Sequence, residues 1–452
     1  MQFKSINPFN NKVINIYDPH SDMDLLNILK TSEKIFKIWK NETISYRSEL
    51  MLKAAELLTN NSDRYAEIIS LEMGKPISEA KAEIGKCVWV CEFYAENSEE
   101  FLADELIETD ADESFISYEP LGTILAIMPW NFPFWQVFRF AVPTLMAGNA
   151  ALLKHATNVL GCAEAIENLF LEAGFPEGLF RSLRITHEQV ESVIADDIIK
   201  AVTVTGSERA GSSVAMSAGK QIKKSVLELG GSNAFIVASD ADLDRAVKTG
   251  VKARMMNSGQ SCIAAKRFIL EEQVYEEYLE RFVSEVKKIR YGNPLDEKTQ
   301  IGPLARIDLA ETLEQQIRKS LDKGAKLVIG NKRDGAFIEP TVLAGVEPGM
   351  PAFDEETFGP LAAFTKAESL DHAFELASKS QYGLGVSIFT RNTDRALQFT
   401  DSVADGAYFI NDLVKSDPRL PFGGTRKSGY GRELSREGIL EFVNIKTVYI
   451  CN

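Results

Sequence analysis

Residues 201–211 read AVTVTGSERAG, an apolar, β-branched run that stops at Gly206 and continues through Ser207 and Glu208 into helix-forming sequence. A buried strand that turns tightly into a helix fits this order. Gly206 permits close backbone approach, Ser207 can cap the helix, and the free N–H groups of a first helical turn attract phosphate. An ordinary strand-to-helix turn is the plainer alternative, since the dinucleotide signature G-x-G-x-x-G is absent. On both sides of this stretch strand and helix patterns alternate. Apolar or β-rich runs at Ala150–Leu153, Ser182–Ile185, Ala201–Val204, Ser225–Leu227 and Ala234–Val237 are separated by helical stretches such as Cys162–Glu172 and His187–Ala195. Such alternation predicts βαβ crossovers and a parallel sheet covered on both faces, hence an α/β fold. After Gly230–Gly231 a second series begins, with strands at Phe268–Leu270, Lys326–Ile329 and Val386–Phe389 and helices at Val274–Ile289, Leu309–Lys323 and Leu370–Ser380. A domain boundary is therefore expected near residue 231. Upstream, residues 22–95 carry helical periodicity, and SFISYE and TILAIM between 114 and 128 read as two strands split at Pro120 to Gly122.

The chain has 452 residues, 45% hydrophobic and 25% charged, enough apolar material for two or three cores. Against 65 acidic side chains stand 50 basic ones, a formal charge of −15, with Lys and Arg scattered. No nucleic acid and no anionic membrane surface is expected as partner, and an anionic ligand would need positive charge gathered locally. The opening MQFKSINPFNNKVINIYD shows neither a secretory nor a transit pattern, and the most apolar stretch, Leu121–Phe138, is broken by Pro129, Asn131, Pro133 and Gln136. A cytoplasmic location without a membrane span is the expectation. Five cysteines (Cys87, Cys91, Cys162, Cys262, Cys451) contain no C-x-x-C pair and only four histidines accompany them. This predicts a reducing compartment and no metal site.

Four further segments carry chemistry. In Leu227-Glu228-Leu229-Gly230-Gly231, a glutamate between leucines at a strand end is expected to be desolvated, with the raised pKa a general base needs; a surface glutamate on an edge strand is the alternative. Cys262 follows Asn257-Ser258-Gly259-Gln260-Ser261, where backbone N–H groups can stabilise a thiolate, although an isolated cysteine is usually a small buried hydrophobe. Asn131, between Pro129 and Pro133, is held where its amide can donate to an oxyanion or simply form a turn. The acidic pair Glu355-Glu356 precedes Thr357-Phe358-Gly359-Pro360.

The identity and order of these segments resemble the aldehyde dehydrogenase superfamily: Pro129-Trp130-Asn131-Phe132, Lys154 after an apolar strand, Thr205-Gly206-Ser207, Glu228-Leu229-Gly230-Gly231, Gly259-Gln260-Ser261-Cys262 and Glu356-Thr357-Phe358-Gly359-Pro360. The resemblance runs on through Pro421–Gly424 and Ser428–Glu433 and so spans nearly the whole chain. Lys154-His155-Ala156-Thr157-Asn158 and SDPRLPFGG at 416–424 further resemble the short bacterial succinate-semialdehyde dehydrogenases.

The resemblance implies an aldehyde-dehydrogenase fold. A Rossmann-like cofactor domain would comprise 1–101 and 122–230, an α/β catalytic domain 231–431, and a small β oligomerisation arm with a C-terminal strand 102–121 and 432–452. It implies NADP- or NAD-dependent oxidation of an aldehyde to a carboxylate through a thiohemiacetal and a thioester on Cys262. Asn131 and the Cys262 N–H would hold the alkoxide, and Glu228 would activate the deacylating water. Met128 and Trp130 would wall the cofactor site, Gly206 and Ser207 would meet the pyrophosphate, Glu356 the nicotinamide ribose, Phe358 the ring edge and Lys154 the adenosine ribose. Thr157 stands where many NAD-using members carry a glutamate, so NADP is expected to be accepted and preferred; Thr157 could also cap a helix beginning near Asn158.

Arg139, expected on a helix facing the substrate tunnel, would pair with the distal carboxylate of succinate semialdehyde, with Arg419 and Ser416 as weaker candidates. Met256 occupies the place of a second family arginine, and Arg254 is out of register with it. A homodimer or homotetramer is implied. Acyl transfer to coenzyme A competes with this reading but is disfavoured by Glu228. Oxidation of glutarate semialdehyde or a neutral aliphatic aldehyde also competes, as does a catalytically silent binding protein, which the joint presence of Asn131, Glu228 and Cys262 disfavours.

Overall fold

The computed structural model describes residues 2–452. Its first sheet holds five parallel strands, Thr123–Met128, Ala150–His155, Phe180–Ser182, Ile199–Thr205 and Lys224–Glu228. Numbered along the chain their spatial order is 3-2-1-4-5, and Gly429–Tyr430 adds antiparallel to the outer edge of Lys224–Glu228. The order reverses between Thr123–Met128 and Ile199–Thr205, and open sheets of this kind bind ligands where the carboxyl ends of two such strands diverge. Ala150–His155 is buried along its whole length, as expected of a strand covered on both faces.

The crossover helices begin where the sequence supplies caps. Thr186 and Gln189 form a capping box ahead of His187–Ala195, and the Ser207 hydroxyl accepts from Ala210 N–H ahead of Glu208–Lys220. One strand differs from its expected place: Phe180–Ser182 pairs with Ala151–Leu153, and the chain has left the sheet by Arg184, whose carbonyl accepts instead from His20 N–H at 2.8 Å. The apolar run Ser182–Ile185 therefore overshot the strand, because pairing register rather than hydrophobicity ends it.

Leu229–Ser232 carry the chain from the first sheet into a second one of seven strands. Its order is Lys326–Ile329, Thr341–Ala344, Leu361–Ala367, Ala265–Glu271, Asn233–Val237, Val386–Phe389 and Tyr408–Ile410, parallel except at Lys326–Ile329. Three of these strands, Thr341–Ala344, Leu361–Ala367 and Tyr408–Ile410, are not legible in the sequence. Leu361–Ala367 reads LAAFTKA, whose alanines favour helix, and only burial among neighbouring strands selects the extended form.

SFISYE and TILAIM belong to different sheets. Glu113–Pro120 pairs residue by residue with Val443–Ile450 and adds Glu105–Leu106, forming a separate three-stranded arm on which Leu106 and Ile445 are exposed. The helical layer comprises Asp22–Trp39, Ile44–Asn60, Ser62–Met73 and Ile77–Phe101. In the last of these Ala80, Ile84, Cys87, Cys91 and Tyr94 recur at three or four and are buried, so Cys87 and Cys91 are core residues whose thiols burial pushes well up. No described helix is long and apolar enough to cross a membrane.

Candidate active site

The turn before Cys262 is conformationally unusual. Asn257, Ser258 and Gly259 all take left-handed φ (55°, 53° and 73°), which costs of order 1–3 kcal/mol at each non-glycine residue and persists only when neighbours over-determine it. Those neighbours are present. Asn257 Nδ2 donates to the carbonyls of Asn131 (2.8 Å) and Gln260 (3.0 Å), and Asn131 Nδ2 donates to the same Gln260 carbonyl at 3.0 Å. Gln260 Oε1 accepts from Ala305 N–H, and Glu79 Oε2 accepts from Asn257 N–H at 2.7 Å. Lys266 Nζ donates to the carbonyls of Ser261 and Cys262 at 2.9 and 2.8 Å. The asparagine and the cysteine expected to act together are thus locked to one turn.

Cys262 lines a cavity of about 750 Å³ shared with Phe132, Trp135, Gln136, Arg139 and Phe422. Desolvation raises its thiol to about 11, against the pull of Arg139 and Lys266. At pH 7 this leaves a thiolate fraction of about 10⁻⁴, far below the few per cent of a free cysteine near pKa 8.5. Alkylation of Cys262 by iodoacetamide in the free protein, followed by peptide mass spectrometry, is therefore expected to rise about tenfold per unit between pH 7 and 9. A plateau below pH 8 would contradict a desolvated thiol.

Glu228 ends its strand in a buried position with no hydrogen bond to either carboxylate oxygen. Glu433, also buried, forms an ion pair with Arg139 Nε, and Arg139 Nη2 reaches Thr205 Oγ1 at 3.4 Å, its guanidinium 4.5 Å from the Phe422 ring centre. Two buried carboxylates thus share one guanidinium. Desolvation and the charge of Glu433 hold the Glu228 carboxyl well above the usual range, and desolvation raises Glu433 as well, against the pull of Arg139. The paired glycines explain the Glu-Leu-Gly-Gly run: a Cβ on Gly230 would lie 2.6 Å from Glu356 Oε2, and one on Gly231 would lie 2.6 Å from the Cys262 carbonyl. Only glycine lets the strand end approach both groups.

The remaining candidates gather at the carboxyl ends of the first sheet. Met128 ends one strand, and Trp130 meets Phe358 edge to face at 5.7 Å. Glu356 accepts from Gly231 N–H at 2.9 Å and lies 3.4 Å from Lys266 Nζ. On the strand paired with the one that Met128 ends, Lys154 sits near the end of Ala150–His155, only 7% exposed, with no hydrogen-bond or ion-pair partner among the described residues. Burial pulls its ammonium down. A buried cation without a counter-ion, at the same carboxyl edge of the sheet as the Ser207-capped helix and the open Gly206 turn, fits the phosphates of a dinucleotide. Thr157 is exposed and caps nothing: the helix begins at Leu160, and Glu72 accepts from its Gly161 and Cys162 N–H groups. The capping role considered for Thr157 is thus filled by a carboxylate from another helix.

The family model described as the aldehyde dehydrogenase family matches residues 1–448. The chain belongs to this family. It is 47% identical over 453 residues, 100% of both chains, to a probable NADP(+) succinate-semialdehyde dehydrogenase of Synechocystis. It is 46% identical over 448 residues, 98% of this chain and 97% of the relative, to the NAD(P)+ succinate semialdehyde dehydrogenase Sad of Escherichia coli. The crystal structure of a Streptococcus pyogenes succinic semialdehyde dehydrogenase in complex with NADP+ has a TM-score of 0.97 at 38% identity, covering both chains completely. A salicylaldehyde dehydrogenase of Pseudomonas putida reaches the same 0.97 at 30% identity, covering 100% of this chain and 95% of its own. This aldehyde dehydrogenase fold therefore does not select the aldehyde; the cavity lining does.

That lining bears on two expectations. Arg139 does border the cavity, but it is not free to serve a ligand alone, because Glu433 occupies it. Arg419 stays outside: it is exposed, bonded twice to Asp417 (2.9 and 2.7 Å) and laid over Trp89. Arg254 is structural, wholly buried and donating to the carbonyls of Leu361, Thr357 and Gly359. The aldehyde dehydrogenase also uses residues the sequence reading did not single out. Glu79, Glu83 and Lys86 project from one face of Ile77–Phe101, and Glu83 accepts from Phe134 and Trp135 N–H, anchoring the start of the helix that carries Arg139. Their spacing of four and three was a usable signal, since charges there lie on the same face as the buried stripe. Lys86 Nζ donates to Ser416 Oγ at 2.6 Å.

Proposed function

We propose that this chain oxidises succinate semialdehyde to succinate, using NADP in preference to NAD. The observation that carries the reading is a cavity that joins the Cys262 thiol to Arg139 and Lys86, so a thiol nucleophile and cations for a carboxylate share one enclosure. The names carried by relatives at 46–47% identity support the same substrate.

In this reading Cys262 Sγ, ionised with help from the charges of Arg139 and Lys266, attacks the aldehyde carbon. The alkoxide accepts from the Cys262 N–H and from the second Asn131 Nδ2–H, the first being committed to Gln260. When bound, the nicotinamide dinucleotide accepts the hydride whose loss turns the thiohemiacetal into a thioester. Glu228, once it has given up its proton, takes one from water as that water attacks the thioester carbon, and Cys262 departs as the leaving group. Met128, Trp130, Lys154, Thr157, Gly206, Ser207, Glu356 and Phe358 would hold the dinucleotide. We read 1–101 with 122–230 as the cofactor unit, 231–431 as the catalytic unit, and the arm as the joint of a cytoplasmic homodimer or homotetramer. The exposed edge of Val443–Ile450, with Ile445 and Tyr449 open to solvent, supports that joint.

The cofactor preference follows from charge. Lys154 has no carboxylate beside it, and Thr157 adds none, so a 2′-phosphate meets a free cation without repulsion. Thr157→Glu is expected to lower kcat/KM for NADP by at least about tenfold while sparing NAD, because like charges a few ångströms apart cost more than about 1 kcal/mol outside bulk water. Steady-state rates with both cofactors decide it; a wild-type kcat/KM higher for NAD than for NADP would overturn the preference.

A further inference from the structure

The inference concerns the carboxylate end of the cavity and rests on reading the substrate as a carboxylated aldehyde. Arg139 and four lysines, Lys86, Lys248, Lys252 and Lys415, line this cavity. Arg139 is paired with Glu433, and Lys415 with Asp412 at 2.7 Å, so neither brings uncompensated charge. Lys248 and Lys252 are exposed. Lys86 differs from all of these. It is partly buried, its ammonium lies 4.3 Å from the Trp135 ring centre and 2.6 Å from Ser416 Oγ, and it makes no ion pair among the described residues.

Both acidic groups near it are already engaged. Glu83 pairs with Lys75 and accepts from Phe134 and Trp135 N–H, and Asp417 is held twice by Arg419. An ammonium has three donors, and Ser416 uses one. Met256, on the same cavity wall, supplies no charge. We propose that Lys86 is the cation that binds the distal carboxylate of the substrate, with Ser416 beside it, and that Arg139 is shared between that carboxylate and Glu433. Lys86 then sets the preference for a carboxylated over a neutral aldehyde.

Charge on Lys86 is pH-dependent in a way that gives a second readout. Burial, then the charge of Arg139 on the facing helix, lower its ammonium to about 8, while Cys87 and Glu83 on its own helix and Asp417 on the facing loop act the other way. As pH rises through 8 the free enzyme loses this cation, so KM for succinate semialdehyde climbs while KM for butanal does not.

The test compares succinate semialdehyde with butanal, a neutral aldehyde of equal chain length, in the wild type and in Lys86→Gln and Lys86→Arg. Lys86→Gln is expected to lower the ratio of the two kcat/KM values about 10- to 100-fold, chiefly through KM, the worth of one charge-assisted hydrogen bond. Lys86→Arg is expected to restore most of the ratio and to remove the rise of KM above pH 8. A wild type that does not prefer succinate semialdehyde sinks the substrate reading. A wild type that does prefer it, with the ratio unchanged in Lys86→Gln or with both aldehydes losing equally, sinks the role of Lys86 alone.

Discussion

Glu228→Gln is expected to leave a burst of reduced cofactor, one equivalent per active site, while steady turnover falls about 10²- to 10⁴-fold, the range for removing a general base. The reason lies in the division of labour. Cys262 and Asn131 complete acylation on a turn that Glu79, Gln260 and Lys266 hold in place, and none of those contacts involves Glu228. The thioester should then accumulate, visible by intact-protein mass spectrometry as an acyl adduct that hydroxylamine removes. Loss of the burst in step with the steady rate would show that Glu228 acts in acylation and that its assignment to deacylation is wrong. Glu433→Gln supplies the sign of the pH effect. Removing the like charge frees Arg139 to stabilise Glu228 as the carboxylate, so the acidic limb of kcat moves to lower pH.

Arg139→Leu is expected to cost at least about 10²-fold in kcat/KM for succinate semialdehyde, from charge-assisted hydrogen bonds worth about 1.5–3 kcal/mol each. It should also destabilise the fold by about 3–5 kcal/mol, because Glu433 is left buried without its partner. The two losses can be separated. In the variant Glu433 is held even further above its unfolded pKa, so the native state binds the extra proton and stability falls as pH rises through that range. Arg139→Leu with Glu433→Gln removes the orphaned charge and should recover most of the melting temperature without recovering selectivity for the carboxylated aldehyde. A double variant that regains both would mean Arg139 serves the fold and not the substrate. Because Glu433 adjoins the Glu228 charge, some loss on butanal is expected in the single variant as well, which makes the ratio of substrates the decisive quantity.

Much of the architecture is legible from local pattern. His187–Ala195 has the bounds its periodicity predicts, and the strands ending at Met128 and Thr205 follow from apolar runs that stop at Pro129 and Gly206. Failures have physical causes. Leu361–Ala367 is hidden by alanine, and Ser182–Ile185 starts two residues and ends three residues past the strand Phe180–Ser182, because a strand ends where its ladder ends, not where its hydrophobicity does. At the site, Cys262, Glu228 and Asn131 stand out through flanking glycines and prolines that serve close backbone approach. Charged residues fared worse. Arg419 and Arg139 both lie in suggestive motifs, yet one is tied to Asp417 in solvent and the other to a carboxylate 294 positions away along the chain (433 − 139).

By itself, then, the amino-acid order determined the alternating α/β plan, the two series of strands divided near Gly231, and the segments that carry Cys262, Glu228 and Asn131. These depend on periodicity, caps and glycine, which act over a few residues. Tertiary structure alone decided which buried charges are spoken for: Arg139 by Glu433, Arg254 by three carbonyls, and Lys154 and Lys86 by no carboxylate. A charge becomes available to a ligand only through the absence of a partner in space, and short-range sequence pattern cannot encode a long-range absence.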